Sequence, residues 1–178
     1  PQRESLRESP ISPYSLGKVA ATHFLQMLYK TEQFPFVNIR LFLTYGPDQV
    51  EQRFIPQIIQ GCIQDATFPV SAGEQLRDFC FVGDVVKAII LSLETKEAYG
   101  KVINIASGSP VSIRSMIEII RQVIGKGNPN FGAIPYRIGE NMQLYANIMQ
   151  AKEFLGWESE TSLEKGLEKT IEWYAKHI

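Results

Sequence analysis

Hydrophobic and polar positions follow two different periods along this chain, and each period predicts one kind of element. Apolar residues spaced three or four apart predict helices at 13–29, 54–63, 85–93, 112–125, 147–156 and from 161 to the C-terminus. Runs rich in β-branched and aromatic residues predict strands at 36–42, 68–70, 79–82, 101–106 and 134–136. Because strands alternate with helices, the pattern predicts an α/β fold with a largely parallel sheet.

Capping residues mark several of the predicted helix starts. Ser12 followed by Pro13 is typical of a helix N-terminus. Asp84 is predicted to cap the third helix, and Thr161 with Glu164 has the spacing of a capping box before the last one.

The composition narrows the function classes. The 178 residues are enough for one domain with a real core, and the net charge of −1 argues against a nucleic-acid-binding protein. A small anionic ligand stays possible, because a few local arginines suffice for it. No apolar run reaches the length of a membrane span, and no signal peptide is visible. The chain starts at Pro1 rather than Met, so we expect a piece of a longer protein.

Cysteine and histidine are too few and too scattered for a metal site. Cys62 and Cys80 lack the spacing of a disulfide framework or a zinc site, and His23 and His177 are the only histidines. We expect both thiols to be buried and reduced, which is typical of a cytoplasmic protein.

Tyr14 and Lys18 stand four residues apart on one face of the first predicted helix. A tyrosine hydroxyl has a reference pKa of about 10, and a nearby ammonium favours its phenolate form. Such a pair can exchange a proton with a carbonyl or alcohol oxygen. The spacing also occurs by chance in many helices, so the alternative is a half-buried tyrosine beside a solvated lysine.

The sequence has no Gly-x-Gly-x-x-Gly loop after a strand, which is the element that holds a dinucleotide pyrophosphate. The predicted strands are also too few for a doubly wound sheet of six or seven strands.

Several motifs nevertheless occur in the order of one known family. The run from Glu8 to Lys18 resembles the active-site helix of extended short-chain dehydrogenases/reductases, and more narrowly that of NAD-dependent nucleotide-sugar epimerases and dehydratases. Further segments resemble that family's later motifs, and these are Arg40–Pro47, Gly73–Phe79 with Val82–Val85, Asn104–Gly108 and Ala151–Trp157. The resemblance covers nearly the whole chain.

The resemblance implies a fold and a division into lobes. The chain would be the C-terminal part of a Rossmann-like doubly wound sheet together with the smaller substrate-binding lobe. Residues 1–50 with 80–106 would complete the dinucleotide-binding domain, and residues 51–79 with 107–178 would form the substrate-binding lobe.

The resemblance also implies the catalytic residues. Tyr14 would be the general acid/base, and Lys18 would favour its phenolate and hold the nicotinamide ribose of NAD or NADP. The backbone around Phe42 would border the nicotinamide. The third catalytic partner, a Ser or Thr, should precede Pro1, so neither Ser5 nor Ser9 is a candidate.

By the same resemblance, arginines and two apolar residues bind a nucleoside-diphosphate sugar. Arg77 and Arg137 would bind the diphosphate, because a guanidinium can donate two parallel hydrogen bonds to it. Arg53 would face the diphosphate too. Phe68 and Val70 would pack against the base.

Each of these assignments has a structural alternative. Arg77 could be a surface residue paired with Asp78 or Glu74, and Arg53 could be solvated at a helix start. Phe68 and Val70 could be plain strand core. Two positions depart from the family pattern: Leu43 stands where most relatives have Asn, and Gly17 where Ser or Thr is common.

The expected function is an NAD(P)-dependent nucleotide-sugar epimerase or 4-ketoreductase. The alternatives are a nucleotide-sugar 4,6-dehydratase and a non-catalytic nucleotide-sugar-binding relative. We expect a cytoplasmic homodimer that pairs through the Tyr14–Lys18 helix. The 178-residue chain alone is expected to be inactive and to dimerise less tightly than the full-length protein.

Overall fold

A computed structural model describes residues 1–177 of the chain. Its six helices are α1 (Pro13–Glu32), α2 (Phe54–Ile63), α3 (Val82–Glu94), α4 (Ile113–Ile124), α5 (Met149–Leu155) and α6 (Leu163–His177). Its nine strands are β1 (Asn38–Leu41), β2 (Leu43–Tyr45), β3 (Thr67–Val70), β4 (Leu76–Arg77), β5 (Phe79–Phe81), β6 (Val102–Ile105), β7 (Val111–Ser112), β8 (Asn128–Phe131) and β9 (Gln143–Leu144). Ile178, the end of the last predicted helix, lies outside the described residues.

The strands pair mostly in parallel. β1 pairs with β6, β2 with β5 and β3 with β8, all parallel. β4 lies between β7, which is antiparallel to it, and β9, which is parallel. The predicted α/β fold with a largely parallel sheet is therefore confirmed.

α1 begins as its sequence predicts. Ser12 and Ser15 form a reciprocal capping box, and Pro13 occupies the first helical position. The helix runs to Glu32 and ends where Gln33 adopts a left-handed conformation with φ of 55°. The capping network fixes the orientation of the first turn, which carries Tyr14.

Two hydrophobic clusters form the core. The larger one lies between α2, α4 and α6 and the strands β2 and β5, and its fully buried members include Ile59, Met116, Ile117, Ile120 and Leu167. The smaller one joins β6, α3 and α5, with Ile103, Ile105, Ala88 and Ala151 at its centre. The proposed division of the chain into two lobes stays a prediction.

The predicted strand at 134–136 is wrong. Residues 134–137 form a loop, and the strand of this region is β8, which lies a few residues earlier. β8 forms because it pairs in register with β3, from Thr67 opposite Asn128 to Val70 opposite Phe131. The loop that follows keeps one link to the sheet, from the Ile134 amide to the Val70 carbonyl at 3.2 Å.

The predicted cap at Asp84 is also wrong. α3 begins at Val82, and the buried Asp84 carboxylate accepts hydrogen bonds from the Ser159 hydroxyl and from the amide and hydroxyl of Thr161, at 2.9–3.0 Å. Thr161 is thereby committed to Asp84 and does not cap α6. Ser162 takes that place, accepting from the Lys165 amide at 3.3 Å.

Among residues 1–177, no helix is both long enough and apolar enough to cross a membrane.

Candidate active site

Tyr14 and Lys18 share one exposed face in the first two turns of α1. The Lys18 Nζ lies 5.5 Å from the centroid of the Tyr14 ring, and 77% of Tyr14 is accessible to solvent. Within residues 1–177 no group hydrogen-bonds to the Tyr14 hydroxyl. The hydroxyl is therefore free to meet a substrate oxygen, and the Lys18 ammonium lies over the same ring.

A pocket of about 500 Å³ opens beside Tyr14. Three residues that the sequence analysis singled out line it together, namely Tyr14, Phe42 and Arg53. Phe42 lies between β1 and β2, and its amide donates to the Ile105 carbonyl at 3.1 Å, which fixes its backbone. Leu43, the position that departs from the family pattern, lines the same pocket.

Lys18 lines a second cavity, of about 610 Å³, between α1 and β1. Tyr14 contributes to this cavity too, so the pair lies where two cavities meet. A hydroxyl and an ammonium side by side can hydrogen-bond the hydroxyls of a ribose. The Tyr14 hydroxyl and the Lys18 ammonium thus fit the ribose next to a nicotinamide, and Phe42 lies in the adjoining pocket beside Tyr14.

A third pocket, of about 530 Å³, contains the other group of predicted residues. Phe68, Val70 and Arg137 line it, together with Phe54 and Tyr136. The wall at Phe68 is tight, because a Cβ on Gly61 of α2 would lie only 2.7 Å from the Phe68 ring. Val70 is buried and Phe68 is partly buried, both in the larger cluster, so both residues serve the core and present only part of their surface to the pocket.

Phe54 lines this pocket and also the one beside Tyr14. Its ring stacks on Phe79 with a centroid separation of 6.2 Å and an interplanar angle of 27°. Phe54 could not be predicted from the sequence, because a single aromatic residue at a helix start carries no signal of its own.

Arg77 lies at the edge of this region and does not line the pocket. Its guanidinium donates to the carbonyls of Leu76 at 2.8 Å and Asn141 at 2.7 Å, and it forms an ion pair with Glu140. The partner is thus neither Asp78 nor Glu74. Three of the five N–H groups of the Arg77 guanidinium are thus engaged. The Glu140 carboxylate also offsets one of the two positive charges that Arg77 and Arg137 bring to this region.

Asp78 is fully buried and organises the turn at Ser107 and Gly108. Its carboxylate accepts from the amides of Ser107, Gly108 and Ala146 and from the Ser107 hydroxyl, at 2.6–3.3 Å. Three backbone amides and a hydroxyl satisfy the charge, so Asp78 has a structural role beside Arg77.

The segment before α1 is tied to the ends of β1 and β6. Arg40 pairs with Glu8 and donates to the Glu4 carbonyl at 3.3 Å, while the Glu4 carboxylate accepts from the Asn104 amide at 3.0 Å. A hydrogen bond from a backbone amide, together with Arg40, holds the pKa of Glu8 below its usual value. These contacts lead the chain into the first turn of α1.

The thiols do not belong to the site. Cys62 and Cys80 are both buried and free, and burial raises the pKa of Cys80 to about 12. A thiol with so high a pKa is a poor nucleophile at neutral pH. Within the described residues, no group of three or more His, Cys, Asp or Glu side chains could hold a metal ion.

Comparison with known families gives one match that spans almost the whole chain. Residues 1–170 match the family model described as GDP-mannose 4,6 dehydratase.

Curated relatives of two activities are similar over the whole chain. A UDP-glucuronate 4-epimerase of Thermodesulfobacterium geofontis is 29% identical over 100% of this chain and 55% of its own length. A dTDP-D-glucose 4,6-dehydratase of Mus musculus is 29% identical over 98% of this chain and 51% of its own length. The chain therefore spans about half the length of these relatives.

Solved structures show the same fold. The UDP-glucuronic acid 4-epimerase of Bacillus cereus, in complex with UDP-glucuronic acid and NAD, superposes with a TM-score of 0.87 at 30% identity. The superposition covers 98% of this chain and 56% of that one. The Rossmann-like epimerase/dehydratase fold is thereby confirmed.

Proposed function

We propose that this chain, which belongs to the GDP-mannose 4,6 dehydratase family, carries the substrate-binding and proton-transfer part of an NAD(P)-dependent nucleotide-sugar epimerase or 4-ketoreductase. The observation that supports this most directly is the placement of Tyr14. Its hydroxyl is exposed beside the Lys18 ammonium, in a pocket that also contains Phe42 and Arg53.

In this proposal Tyr14 moves the proton of a sugar hydroxyl. The phenolate oxygen takes that proton while the carbon that bears the hydroxyl loses a hydride, and it returns the proton when a hydride comes back to the carbonyl. Lys18, whose ammonium lies over the Tyr14 ring, would bind the ribose hydroxyls of the cofactor. NAD or NADP, when bound, supplies the hydride acceptor and donor.

The nucleotide end of the substrate would occupy the pocket of Phe68, Val70 and Arg137. We assign the base to the apolar wall at Phe68 and Val70, and the diphosphate to Arg137 with help from Arg53. Arg77 would contribute its two remaining N–H groups, and Glu140 would hold its guanidinium in place. The sugar would then reach past Phe54 to Tyr14.

A 4,6-dehydratase is the second candidate, and two findings favour it. The matching family model carries that description, and the mouse relative has that activity. Epimerisation and dehydration both begin with the oxidation of a sugar hydroxyl, which Tyr14 would assist, and 4-keto reduction is the reverse of that step, so the assignment of this residue is common to all three.

The test is the turnover of UDP- and dTDP-sugars by the full-length protein with NAD or NADP. We expect Tyr14→Phe to lower turnover roughly a hundredfold or more. Because the Tyr14 side chain is largely exposed, its melting temperature should stay unchanged. Tyr29→Phe is the matched control on the same helix, since that ring packs edge-on against Phe36 away from the pocket. Unchanged turnover of Tyr14→Phe would refute the mechanism.

The 178-residue chain alone should bind a nucleotide sugar without turning it over, because it has no glycine-rich cofactor loop. Detectable turnover by this chain would contradict that expectation. Turnover by this chain would also rule out the alternative that the protein is a non-catalytic nucleotide-sugar-binding relative.

We further propose a homodimer that pairs through α1. Leu16, Phe24 and Met27 expose about half of their surface on this helix. In light scattering, Phe24→Asp should shift the protein toward monomer, whereas Leu93→Asp on α3 should not.

The free, buried thiols are consistent with a proposed cytoplasmic location.

A further inference from the structure

Gln75 carries a buried hydrogen-bond acceptor that has no partner. Among residues 1–177, its Oε1 is the one buried side-chain nitrogen or oxygen that makes no hydrogen bond. The amide nitrogen of the same side chain makes a single long bond of 3.4 Å to the Ser71 hydroxyl. Buried acceptors are rarely left unsatisfied, so this amide requires an explanation.

The backbone of Gln75 is firmly held. Its carbonyl accepts from the Ile113 amide at 3.1 Å, and the next amide, of Leu76, donates to the Met142 carbonyl at 2.8 Å. The preceding turn at Gly73 is pinned by the Arg114 amide at 2.8 Å. The movable part is therefore the terminal amide, whose last torsion is soft.

The Gln75 side chain lines the pocket of about 530 Å³ that contains Phe68 and Arg137. The apolar Val70, Ile113 and Ile117 line the same pocket. Turning the amide toward the pocket would bring Oε1 to a ligand that lies on these apolar side chains.

We propose that Gln75 is a specificity residue whose amide oxygen accepts a hydrogen bond from the nucleoside part of the ligand. This inference rests on the proposed nucleotide-sugar function. The diphosphate is excluded as the partner, because ionised phosphate oxygens only accept hydrogen bonds. The nucleoside offers two donors for this role, the imide N–H of a uracil ring and the 2′-hydroxyl of the ribose.

The experiment is isothermal titration calorimetry of the full-length protein with UDP, 3-methyl-UDP and 2′-deoxy-UDP. If the base is the donor, the wild type should bind 3-methyl-UDP about tenfold more weakly than UDP, and Gln75→Leu should remove that difference. If the ribose is the donor, the same pattern should appear with 2′-deoxy-UDP.

Gln57→Leu is the matched control, because Gln57 lines the same pocket and should leave both ratios unchanged. Gln75→Glu keeps an acceptor at the same reach and should preserve the discrimination that Gln75→Leu loses. A Gln75→Leu variant that binds all three probes as the wild type does would overturn the inference.

The inference and the proposed function fail in different ways. If the wild type does not bind UDP at all, the proposed function fails and takes the inference with it. If the wild type binds UDP and Arg137→Ala weakens that binding, the proposed function stands. If Gln75→Leu then leaves the affinity ratios between UDP and its two analogues unchanged, only the inference fails.

Discussion

The two helices closest to the proposed reaction path differ sharply in how they are held. α2, beside the nucleotide pocket, buries Ile55, Ile58, Ile59 and Cys62 against α4 and α6. In α1, which carries Tyr14, Thr22 is the one buried residue within the described chain. The nucleotide pocket is thus shaped by this chain's own core, whereas the Tyr14 helix is fixed at a few points only.

Those few points are mostly polar. The Asn38 amide donates to the Thr22 hydroxyl at 2.8 Å, and that hydroxyl donates to the Lys18 carbonyl at 3.0 Å. Near the C-terminal end of the helix, Tyr29 meets Phe36 edge-on. Such contacts orient a helix, but they contribute far less free energy than a closed apolar cluster.

The strongest test of this difference removes apolar side chains from both regions. Ile120→Ala, in the fully buried face of α4, should lower the free energy of unfolding by about 2–5 kcal/mol, since it leaves a cavity. Phe24→Ala, on the exposed face of α1, should change the free energy of unfolding of the monomeric chain by less than about 0.5 kcal/mol. Urea denaturation measures both values, and similar losses would contradict the comparison.

Alanine substitutions at two glycines give a second test, in which the free energy of unfolding should change in opposite directions. Gly73→Ala should cost about 1–3 kcal/mol, because Gly73 has φ of +77° and its new Cβ would lie 2.8 Å from the Arg114 nitrogen. Gly17→Ala, inside α1 with nothing within 4 Å, should stabilise by about 0.5–1 kcal/mol. The same urea titrations decide this test, and a destabilised Gly17→Ala would show that α1 is more tightly packed than described.

The smallest expected effect is at the ion pair that leads into α1. The pKa of Glu8 is lower in the folded state than in the unfolded chain, so the ionised carboxylate stabilises the fold. This contribution is present in full above the pKa of the unfolded chain and is lost as the pH falls through the pKa of the folded state. Glu8→Gln should therefore cost less than about 1 kcal/mol at pH 7 and a smaller amount at pH 3. Unfolding titrations at both pH values measure the difference, which 1 M salt should reduce. A larger cost at pH 3 would exclude the ion pair as its cause.

The long periodic elements were predictable from the sequence, and the short ones were not. α2 has the predicted bounds, because its apolar spacing runs from end to end. β4, β7 and β9 are two residues each, which is too short for any period to show. They exist only because Leu76 and Arg77 meet partners that are distant in the sequence.

The candidate site shows the same limit. The spacing of Tyr14 and Lys18 was enough to place both on one helical face. The partner of Arg77 could not be predicted, since Asp78 and Glu74 are the nearby carboxylates in the sequence whereas Glu140 is 63 residues away. Asp84 was mistaken for a cap for a related reason: its hydrogen-bond donors lie more than 70 residues further along the chain.

The stacked ring of Phe54 has a consequence for the size of ligand that the protein can accept. It lies between the pocket of Tyr14 and the pocket of Arg137, on a helix anchored in the larger cluster. Because a packed core yields little, the spacing between the two pockets is set before any ligand arrives. Phe54 thereby sets a minimum length for a ligand that occupies both pockets. A molecule whose two ends are too close together can fill one pocket but cannot reach the other.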